Sequence, residues 1–277
     1  AIFRILGPNL WANMADSSGR VSQVLRFGCL FAFFVFLGVF VVYDYWLLTL
    51  TFSLMMMFWT AVLPQLEVIT LQATLKTKGG YGKIRLWGSI GFIACSLIAG
   101  SLIDVYGPTV VAIVTSVTLF SLYISSLLIV GSEQKEKSQN KNLGDWGQAF
   151  SIVFIIFLLA NTLLQVSFGT YYSFFALYMK DYDYSGFQTG VFIAIGVLSE
   201  ILIFVLAAKL VKRFEVLNLL ALSILLTSMR WFGLAYFPHE IVIIVACQIL
   251  HAFSFGLSHV ASVYFLTHHF SQRFQRV

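Results

Sequence analysis

Three ionisable side chains that could do chemistry lie within strongly apolar runs. Glu200 lies in "GVLSEILIFVLAAK", Arg230 in "LLTSMRWFG" and His251 in "CQILHAF". A charged group in a membrane interior costs about 2.5–3.5 kcal/mol and usually faces a cavity or a partner. A carboxylate and a guanidinium can pair and offset part of that cost, whereas an imidazole can exchange a proton near neutral pH. We therefore predict a polar interior site that involves all three.

Other polar residues in apolar runs extend this prediction. Three more ionisable side chains belong to the candidate set, namely Arg4, Glu67 and His259. Arg4 and Glu67 can equally form a structural ion pair, and His259 can simply bond a neighbouring helix. Helical spacing puts polar side chains on single helix faces: Gln248, His251, Ser254, Ser258, His259 and Ser262 on one, Asn161, Gln165 and Tyr172 on a second, and Thr60, Pro64, Glu67 and Thr74 on a third. Such faces predict a shared wet interior.

The composition indicates that lipid surrounds most of the chain. Of its 277 residues, 59% are hydrophobic and only 10% are charged, whereas soluble domains carry roughly 25% charged residues. Runs such as "LRFGCLFAFFVFLGVFVVY" do not alternate as barrel strands do. We therefore predict an all-α, polytopic membrane protein.

Several other classes are not expected. The net charge of +5 is not gathered on one face, so nucleic acid is not an expected partner. The three cysteines form no CxxC pair, which predicts neither a disulfide framework nor a zinc site. No HExxH or GxSxG signature is present, so we expect no enzyme, no metal and no cofactor.

The apolar runs predict one partial span over 1–15 and eight complete spans. The complete spans are expected near 24–43, 46–72, 86–103, 108–131, 151–179, 187–208, 216–237 and 241–266. Pro64 should kink the second of these. Glu200, Arg230 and His251 then lie roughly 20, 10 and 15 Å from the outer surface, which is a comparable depth on three consecutive helices.

The cations predict the orientation of these spans. Fourteen of the 17 Lys and Arg residues fall in every second gap between the apolar runs, and Lys180 alone falls in the alternate gaps. Cytoplasmic loops carry the Lys/Arg excess, so we expect an inner (plasma) membrane protein with its Lys/Arg-rich loops in the cytoplasm. The polar stretch 132–150 should be a cytoplasmic linker between helical bundles at 1–131 and 151–277.

The stretch "GGYGKIRLWGSIGFI", residues 79–93, precedes a span with glycines and two cations. Lys83 and Arg85 are expected to anchor the cytoplasmic end of that span. Further along, Gly91, Cys95 and Ala99 recur every four residues and predict a small face that lets another helix approach closely.

Four motifs give the chain a resemblance to a known family. "YGKIRLWGSIGFI", "SEILIF", "MRW" and "QILHAF" resemble the major facilitator superfamily, and within it the 3-phenylpropionate permease-like branch, which is related to the oligosaccharide/proton symporters. The resemblance implies two six-helix bundles around a central cavity. The chain would hold part of helix 2 to helix 10, about nine of twelve spans, with helix 1 and helices 11 and 12 absent.

The resemblance also implies roles for individual residues. Asp16, Gly19 and Arg20 match the loop motif between helices 2 and 3, although Ala12 and Val21 depart from it. With Lys83 and Arg85 they form the expected gating and cytoplasmic loop set. In lactose-permease relatives an acid on helix 8, an arginine on helix 9 and a histidine on helix 10 take part in binding and proton coupling, and Glu200, Arg230 and His251 match these positions.

Two residue sets follow for the central site. The proton-coupling candidates are Glu200, His251, His259 and Glu67. The substrate-binding candidates are Arg4, Arg230, Gln165, Tyr172 and Gln248.

The function that this reading predicts is secondary active transport by alternating access. We expect a monomeric proton symporter in the lipid bilayer for a small organic solute such as an aromatic carboxylate, 3-phenylpropionate-like. A sugar or nucleoside proton symporter is an alternative, and a non-transporting membrane receptor or scaffold is an alternative of another class.

Overall fold

The structure, a computed structural model, describes residues 2–75, 81–129 and 151–269. Every regular element within these ranges is helical. In chain order they are α1 (Ile2–Ser18), α2 (Val21–Phe36) with a 3₁₀ turn (Leu37–Phe40), α3 (Tyr45–Trp59), α4 (Val62–Leu75), α5 (Tyr81–Tyr106), α6 (Val110–Leu128), α7 (Ile152–Asp181), α8 (Gly186–Arg213), α9 (Val216–Tyr236), α10 (Ile241–His251), a π-helix (Ala252–Leu257) and α11 (Ser258–His269).

Within these ranges, eight segments are long and apolar enough to cross a membrane. They are Val21–Phe40, Tyr45–Thr74, Leu86–Tyr106, Val110–Leu128, Ile152–Asp181, Gly186–Arg213, Val216–Tyr236 and Ile241–Leu266. The predicted all-α, polytopic architecture is therefore confirmed. The predicted spans coincide with these segments, and the predicted partial span over 1–15 coincides with α1.

The second span is broken where proline was expected to bend it. A proline lacks the N–H of an α-helical hydrogen bond, and its ring clashes with the carbonyl four residues earlier. For Pro64 that residue is Thr60, and α3 ends at Trp59 while α4 begins at Val62. Pro64 therefore accounts for the interruption.

The described residues fall into two compact units. The first unit contains those within 1–85 and 106–141, and the second contains those within 86–105 and 142–277. Most of α5 therefore groups with α7 to α11, although the sequence predicts it in a bundle over 1–131. The two predicted bundles stay a prediction, and the predicted linker 132–150 lies outside the described residues.

The first unit contains α1, α2, α3, α4 and α6. Hydrogen bonds from side chains of one helix to carbonyls of another help to hold these helices together. The indole of Trp11 donates to the carbonyl of Met57 at 2.7 Å. Arg26 on α2 donates to the carbonyls of Ser126 and Ile129 at 3.3 and 3.0 Å. Because the last carbonyls of a helix lack partners within the helix, a cation at this position stabilises the end of α6.

The second unit contains a very close approach between α5 and α8. A Cβ atom added at Gly186 would lie 2.5 Å from the carbonyl oxygen of Gly100, and one added at Gly190 would lie 2.8 Å from that of Ser96. The Asp104 carboxylate accepts hydrogen bonds from the N–H of Gly186 and, at 2.8 Å, from that of Phe187. The carboxylate thereby caps the start of α8.

This contact corrects the predicted small face of α5. A Cβ atom at Gly91 would meet nothing within 4 Å among the described residues, and Cys95 is exposed. The helix instead approaches α8 through Ser96, Gly100 and Asp104, one residue further along. The four-residue spacing was right and its register was wrong, because small residues occur on both adjacent rows of this helix.

Candidate functional site

The Arg230 side chain is fully buried in the second unit, with a relative exposure of 0%. It projects from α9 into a set of aromatic rings. Its Cζ atom lies 4.3 Å from the ring centroid of Tyr171, 4.4 Å from that of Trp231 and 5.7 Å from that of Phe168. Cations within about 6 Å of an aromatic face are attracted by the ring quadrupole. We call these three rings the aromatic cage.

The aromatic cage is itself held in place by hydrogen bonds and ring contacts. The indole of Trp231 donates to the Ser167 hydroxyl on α7 at 3.1 Å. Phe168 is 2% exposed and packs edge-on against the Trp231 ring at 5.6 Å between centroids. The rings therefore hold the guanidinium in a fixed place between α7 and α9.

Buried polar nitrogens in this site lack hydrogen-bond partners. Among the residues that the structure describes, none accepts a hydrogen bond from Nε, Nη1 or Nη2 of Arg230, and none pairs with Nε2 of Gln248 or Nδ1 of His251. Most buried polar groups in proteins are hydrogen-bonded. A cluster of buried nitrogens that includes a guanidinium is therefore suited to a ligand that brings oxygen acceptors, and a carboxylate fits a guanidinium in a bidentate manner.

His251 links this cluster to the predicted acid. Its Nε2 atom lies 4.0 Å from Oε2 of Glu200, which is within ion-pair distance. The expected pairing of Glu200 with Arg230 is thus not formed in this conformation. The physical reason is that the guanidinium is turned toward the aromatic cage while the imidazole of α10 lies beside the carboxylate of α8.

Gln248 is buried with 0% exposure one helical turn before His251. Its Oε1 atom accepts a hydrogen bond of 2.8 Å from the Tyr171 hydroxyl. Both residues face α8 at Gly196, where an added Cβ atom would lie 3.4 Å from Cδ2 of His251 and 3.6 Å from Oε1 of Gln248. The absence of a side chain at Gly196 therefore leaves room for both polar groups.

A π-helix follows His251 directly. Such wide turns within α-helices are frequent at functional sites. The rings of His251, Phe255 and His259 lie in one column, with centroids 5.8 and 6.3 Å apart and planes within 16° and 8° of parallel. The predicted polar face of this span is buried at Gln248, His251, Ser254 and Ser258, while Ser262 donates to Asn161 on α7 at 2.8 Å.

The structure brings some of the predicted site residues together and leaves others apart. Glu200, Arg230, Gln248 and His251 meet around the aromatic cage. Tyr172 is 62% exposed, although its ring contacts Phe168 at 5.9 Å. Gln165 and His259 are exposed, and the column of rings connects His259 to His251.

Other predicted residues lie in the first unit. Glu67 is half-buried on α4, and Asp16 and Arg20 are exposed beside the turn from α1 to α2. Gly19 has φ +65° in that turn, a conformation that favours glycine. The side chain of Arg4, the predicted partner of Glu67, lies outside the described part of the chain.

Two further candidates of the loop set are described in their backbone alone. Lys83 and Arg85 lie in the first turns of α5, and their side chains are not among those that the structure describes. Their roles as anchors and gating residues stay predictions.

Sequence reasoning favours a packing role for Tyr171 and does not predict the aromatic residues that surround Arg230 as part of the site. Tyr171 and Phe168 lie on α7, and Trp231 follows Arg230 directly. Aromatic residues make up 17% of the chain, so their presence near an arginine in the sequence carries little information. The spacing of Phe168, Tyr171 and Phe175 at three and four residues was a usable signal for one helix face.

Comparison with known proteins supports the helical fold and identifies the family of this chain. A model of the MFS_1 like family matches residues 1–276. The chain is 26% identical over 271 residues to a "Probable 3-phenylpropionic acid transporter" of Escherichia coli (strain K12), covering 96% of this chain and 70% of that protein. It is also 26% identical over 255 residues to a maltose permease of Geobacillus stearothermophilus, covering 87% of this chain and 62% of that protein.

A solved structure supports the fold. The crystal structure of the nucleoside transporter NupG (D323A mutant) matches with a TM-score of 0.79 at 17% sequence identity, covering 96% of this chain and 73% of that one. The chain thus spans about two thirds of the length of these proteins. The described residues include eight helices long and apolar enough to cross a membrane, and the family match covers residues 1–276, so the chain belongs to the MFS_1 like family of major facilitator membrane transporters.

Proposed function

We propose that this protein is a secondary active transporter that moves a small organic carboxylate together with protons, and that the carboxylate carries an aromatic group. The observation that carries the proposal is the buried Arg230 guanidinium, which lies in the aromatic cage without a hydrogen-bond acceptor among the described residues. A substrate carboxylate supplies both the missing charge and the missing acceptors. An aromatic substituent suits a site lined by aromatic rings.

Similarity to known transporters supports the same substrate class. The Escherichia coli relative is named for 3-phenylpropionic acid, which combines a carboxylate with a phenyl ring. We therefore choose 3-phenylpropionate as the first substrate to test.

The contact between Glu200 and His251 supports the proposed proton coupling. An imidazole 4.0 Å from a carboxylate is within ion-pair distance, so the charge on one group changes the proton affinity of the other. Arg230 and His251 both contact the rings of Phe168 and Tyr171, so a carboxylate bound at Arg230 lies close to the pair. Its negative charge favours the protonated state of that pair, and by linkage a proton on the pair favours binding of the carboxylate. Anion and proton would then move together.

The test uses the purified full-length protein in liposomes. With a proton gradient, the wild type should accumulate labelled 3-phenylpropionate. Glu200→Gln should abolish this uphill accumulation yet retain exchange of substrate between the two sides, because the binding residues are unchanged. Glu215→Gln is the matched control, since Glu215 is exposed at the start of α9 and caps no backbone N–H with its side chain. Accumulation by Glu200→Gln at the wild-type level would disprove the role of Glu200.

The remaining features of the proposal concern the whole protein. The Lys/Arg-rich loops face the cytoplasm, the two predicted bundles at 1–131 and 151–277 alternate in access, and the transporter acts as a monomer. His259 and Glu67 are secondary candidates for the proton route, and Arg4, Gln165 and Tyr172 for contacts with the substrate.

A sugar or nucleoside substrate is the alternative, supported by the similarity to a maltose permease. A polyhydroxy substrate donates as well as accepts hydrogen bonds, whereas the unpaired buried atoms of this site include a guanidinium that can only donate. Uptake of labelled maltose or uridine without competition from 3-phenylpropionate would favour this alternative. Binding of 3-phenylpropionate without any flux would favour a receptor or scaffold.

A further inference from the structure

Tyr171 on α7 contacts each of the three buried polar residues of the site. Its ring lies 4.3 Å from Cζ of Arg230. Its hydroxyl donates to Oε1 of Gln248 at 2.8 Å. Its ring also stacks on the imidazole of His251, with centroids 6.1 Å apart and planes inclined by 29°. Three side chains from α9 and α10 are therefore positioned by one side chain from α7.

The hydrogen bond from Tyr171 engages the oxygen end of the Gln248 amide. Because Oε1 already accepts from the hydroxyl, the end with an unused hydrogen-bonding group is Nε2, which has no partner among the described residues. Oε1 also faces α8 at Gly196, where an added Cβ atom would lie 3.6 Å from it. The amide therefore offers a donor, in keeping with the guanidinium beside it.

We infer that Tyr171 is a positioning residue that makes the site selective for a carboxylate over a neutral amide. The inference rests on the proposed function. The hydroxyl holds the Gln248 amide with Nε2 toward the substrate, and the ring holds the guanidinium of Arg230. A substrate carboxylate then meets donors alone. The corresponding amide brings its own NH₂ group, and two donors that face each other in a buried site remain unsatisfied.

Removal of the hydroxyl frees the amide to present either end. Tyr171→Phe keeps the ring under the guanidinium and changes one hydrogen bond, so folding should be preserved. Tyr178→Phe is a matched control, because the Tyr178 hydroxyl on the same helix donates at 2.6 Å to a backbone carbonyl, that of Leu234, away from the cluster. The two variants lose the same chemical group, and only one of them touches Gln248.

The experiment measures 3-phenylpropionate uptake by the full-length protein in liposomes and its inhibition by 3-phenylpropionamide. In Tyr171→Phe the KM for 3-phenylpropionate should rise about tenfold, with the maximal rate within about twofold of wild type. The inhibition constant of the amide should stay constant or fall, so the preference for the carboxylate shrinks by about the same factor. Tyr178→Phe should leave both constants unchanged.

A double mutant establishes that Tyr171 acts through Gln248. In a Gln248→Met background, Tyr171→Phe should raise the KM no further, because the group that it orients is gone. A KM in Tyr171→Phe equal to that of wild type, or an equal loss of carboxylate and amide, overturns the inference while transport itself stands. If the wild type carries no 3-phenylpropionate at all, the proposed function fails first and the inference fails with it.

Discussion

At the scale of single residues, Arg230 combines a high cost of burial with a guanidinium that has no hydrogen-bond partner among the described residues. A buried charge is costly unless it is paired and hydrogen-bonded. In this site the compensation visible among the described residues comes from three aromatic rings, and a cation–π contact of a desolvated cation is worth about 2 kcal/mol or more. Such an arrangement is expected if the substrate itself supplies the carboxylate that pairs with the Arg230 guanidinium.

This reasoning predicts opposite effects of one substitution on stability and binding. Arg230→Met keeps much of the volume and removes the charge. We expect the substrate-free protein to become more stable by about 1–4 kcal/mol, as is often found when a buried charge is replaced by an apolar side chain. Binding of 3-phenylpropionate should be lost. Thermal unfolding in detergent and equilibrium binding measure the two effects.

The matched control is Arg213→Met at the end of α8. Arg213 is exposed, and its Cζ atom lies 5.7 Å from the Phe214 ring. Its substitution should leave both stability and binding nearly unchanged, because an exposed cation–π contact is worth about 0.5–1 kcal/mol. A lower unfolding temperature of Arg230→Met with wild-type binding would contradict the proposed role of Arg230.

The sequence was most informative where a residue type was out of place. Glu200, Arg230 and His251 were recognisable as candidate site residues, because an ionisable side chain within an apolar run is costly and is usually retained for a function. Tyr171 was not recognisable, because a tyrosine is ordinary in such a run and its importance depends on which residues of α9 and α10 lie opposite. The pairing of His251 with Glu200, in place of Arg230, depends on helix rotation and was equally inaccessible.

At the scale of elements, the contact between α5 and α8 depends on the lack of a side chain at Gly100. Gly100→Val would force the two backbones apart and should cost about 1–3 kcal/mol, as overpacking typically does. Gly91→Val on the same helix is the control, because an added Cβ atom there meets nothing within 4 Å among the described residues. Equal melting temperatures of the two variants in detergent would show that the close approach is unimportant.

The predicted elements differ in how directly the sequence encodes them. The break between α3 and α4 follows from the chemistry of Pro64 alone. The register of α5 against α8 does not, since Gly91 and Gly100 are the same residue type on neighbouring rows and only the partner helix distinguishes them. No feature of the local sequence predicts the π-helix after His251 as directly as Pro64 predicts the break between α3 and α4.

At the scale of the whole molecule, the distribution of cations predicts which loops face the cytoplasm. In a variant with its three native cysteines replaced, a single cysteine at Ser17 should react with a membrane-impermeant maleimide only in inside-out vesicles. A cysteine at Asp183 should react only in intact cells. Both residues are exposed in the described structure. The opposite pattern would reverse the proposed orientation.

The eight spans were predictable because lipid imposes one requirement, apolar length, on each of them separately. The grouping of α5 with the second unit was not, because it depends on contacts between residues far apart in the sequence, such as Gly100 and Gly186, which are 86 positions apart. Hydropathy thus identifies the membrane helices but does not predict which of them pack against one another.

The wide turn at Ala252–Leu257 has a consequence for how this span tolerates changes in length. A π-helix forms when an α-helix accommodates one surplus residue. Deletion of a single residue within it should therefore restore continuous α-helix and rotate Gln248 and His251 relative to His259 by about 100°. Which side chain stands opposite Glu200 is thus set by the number of residues in this turn, and homologues one residue shorter here would present a different surface to the substrate without any substitution.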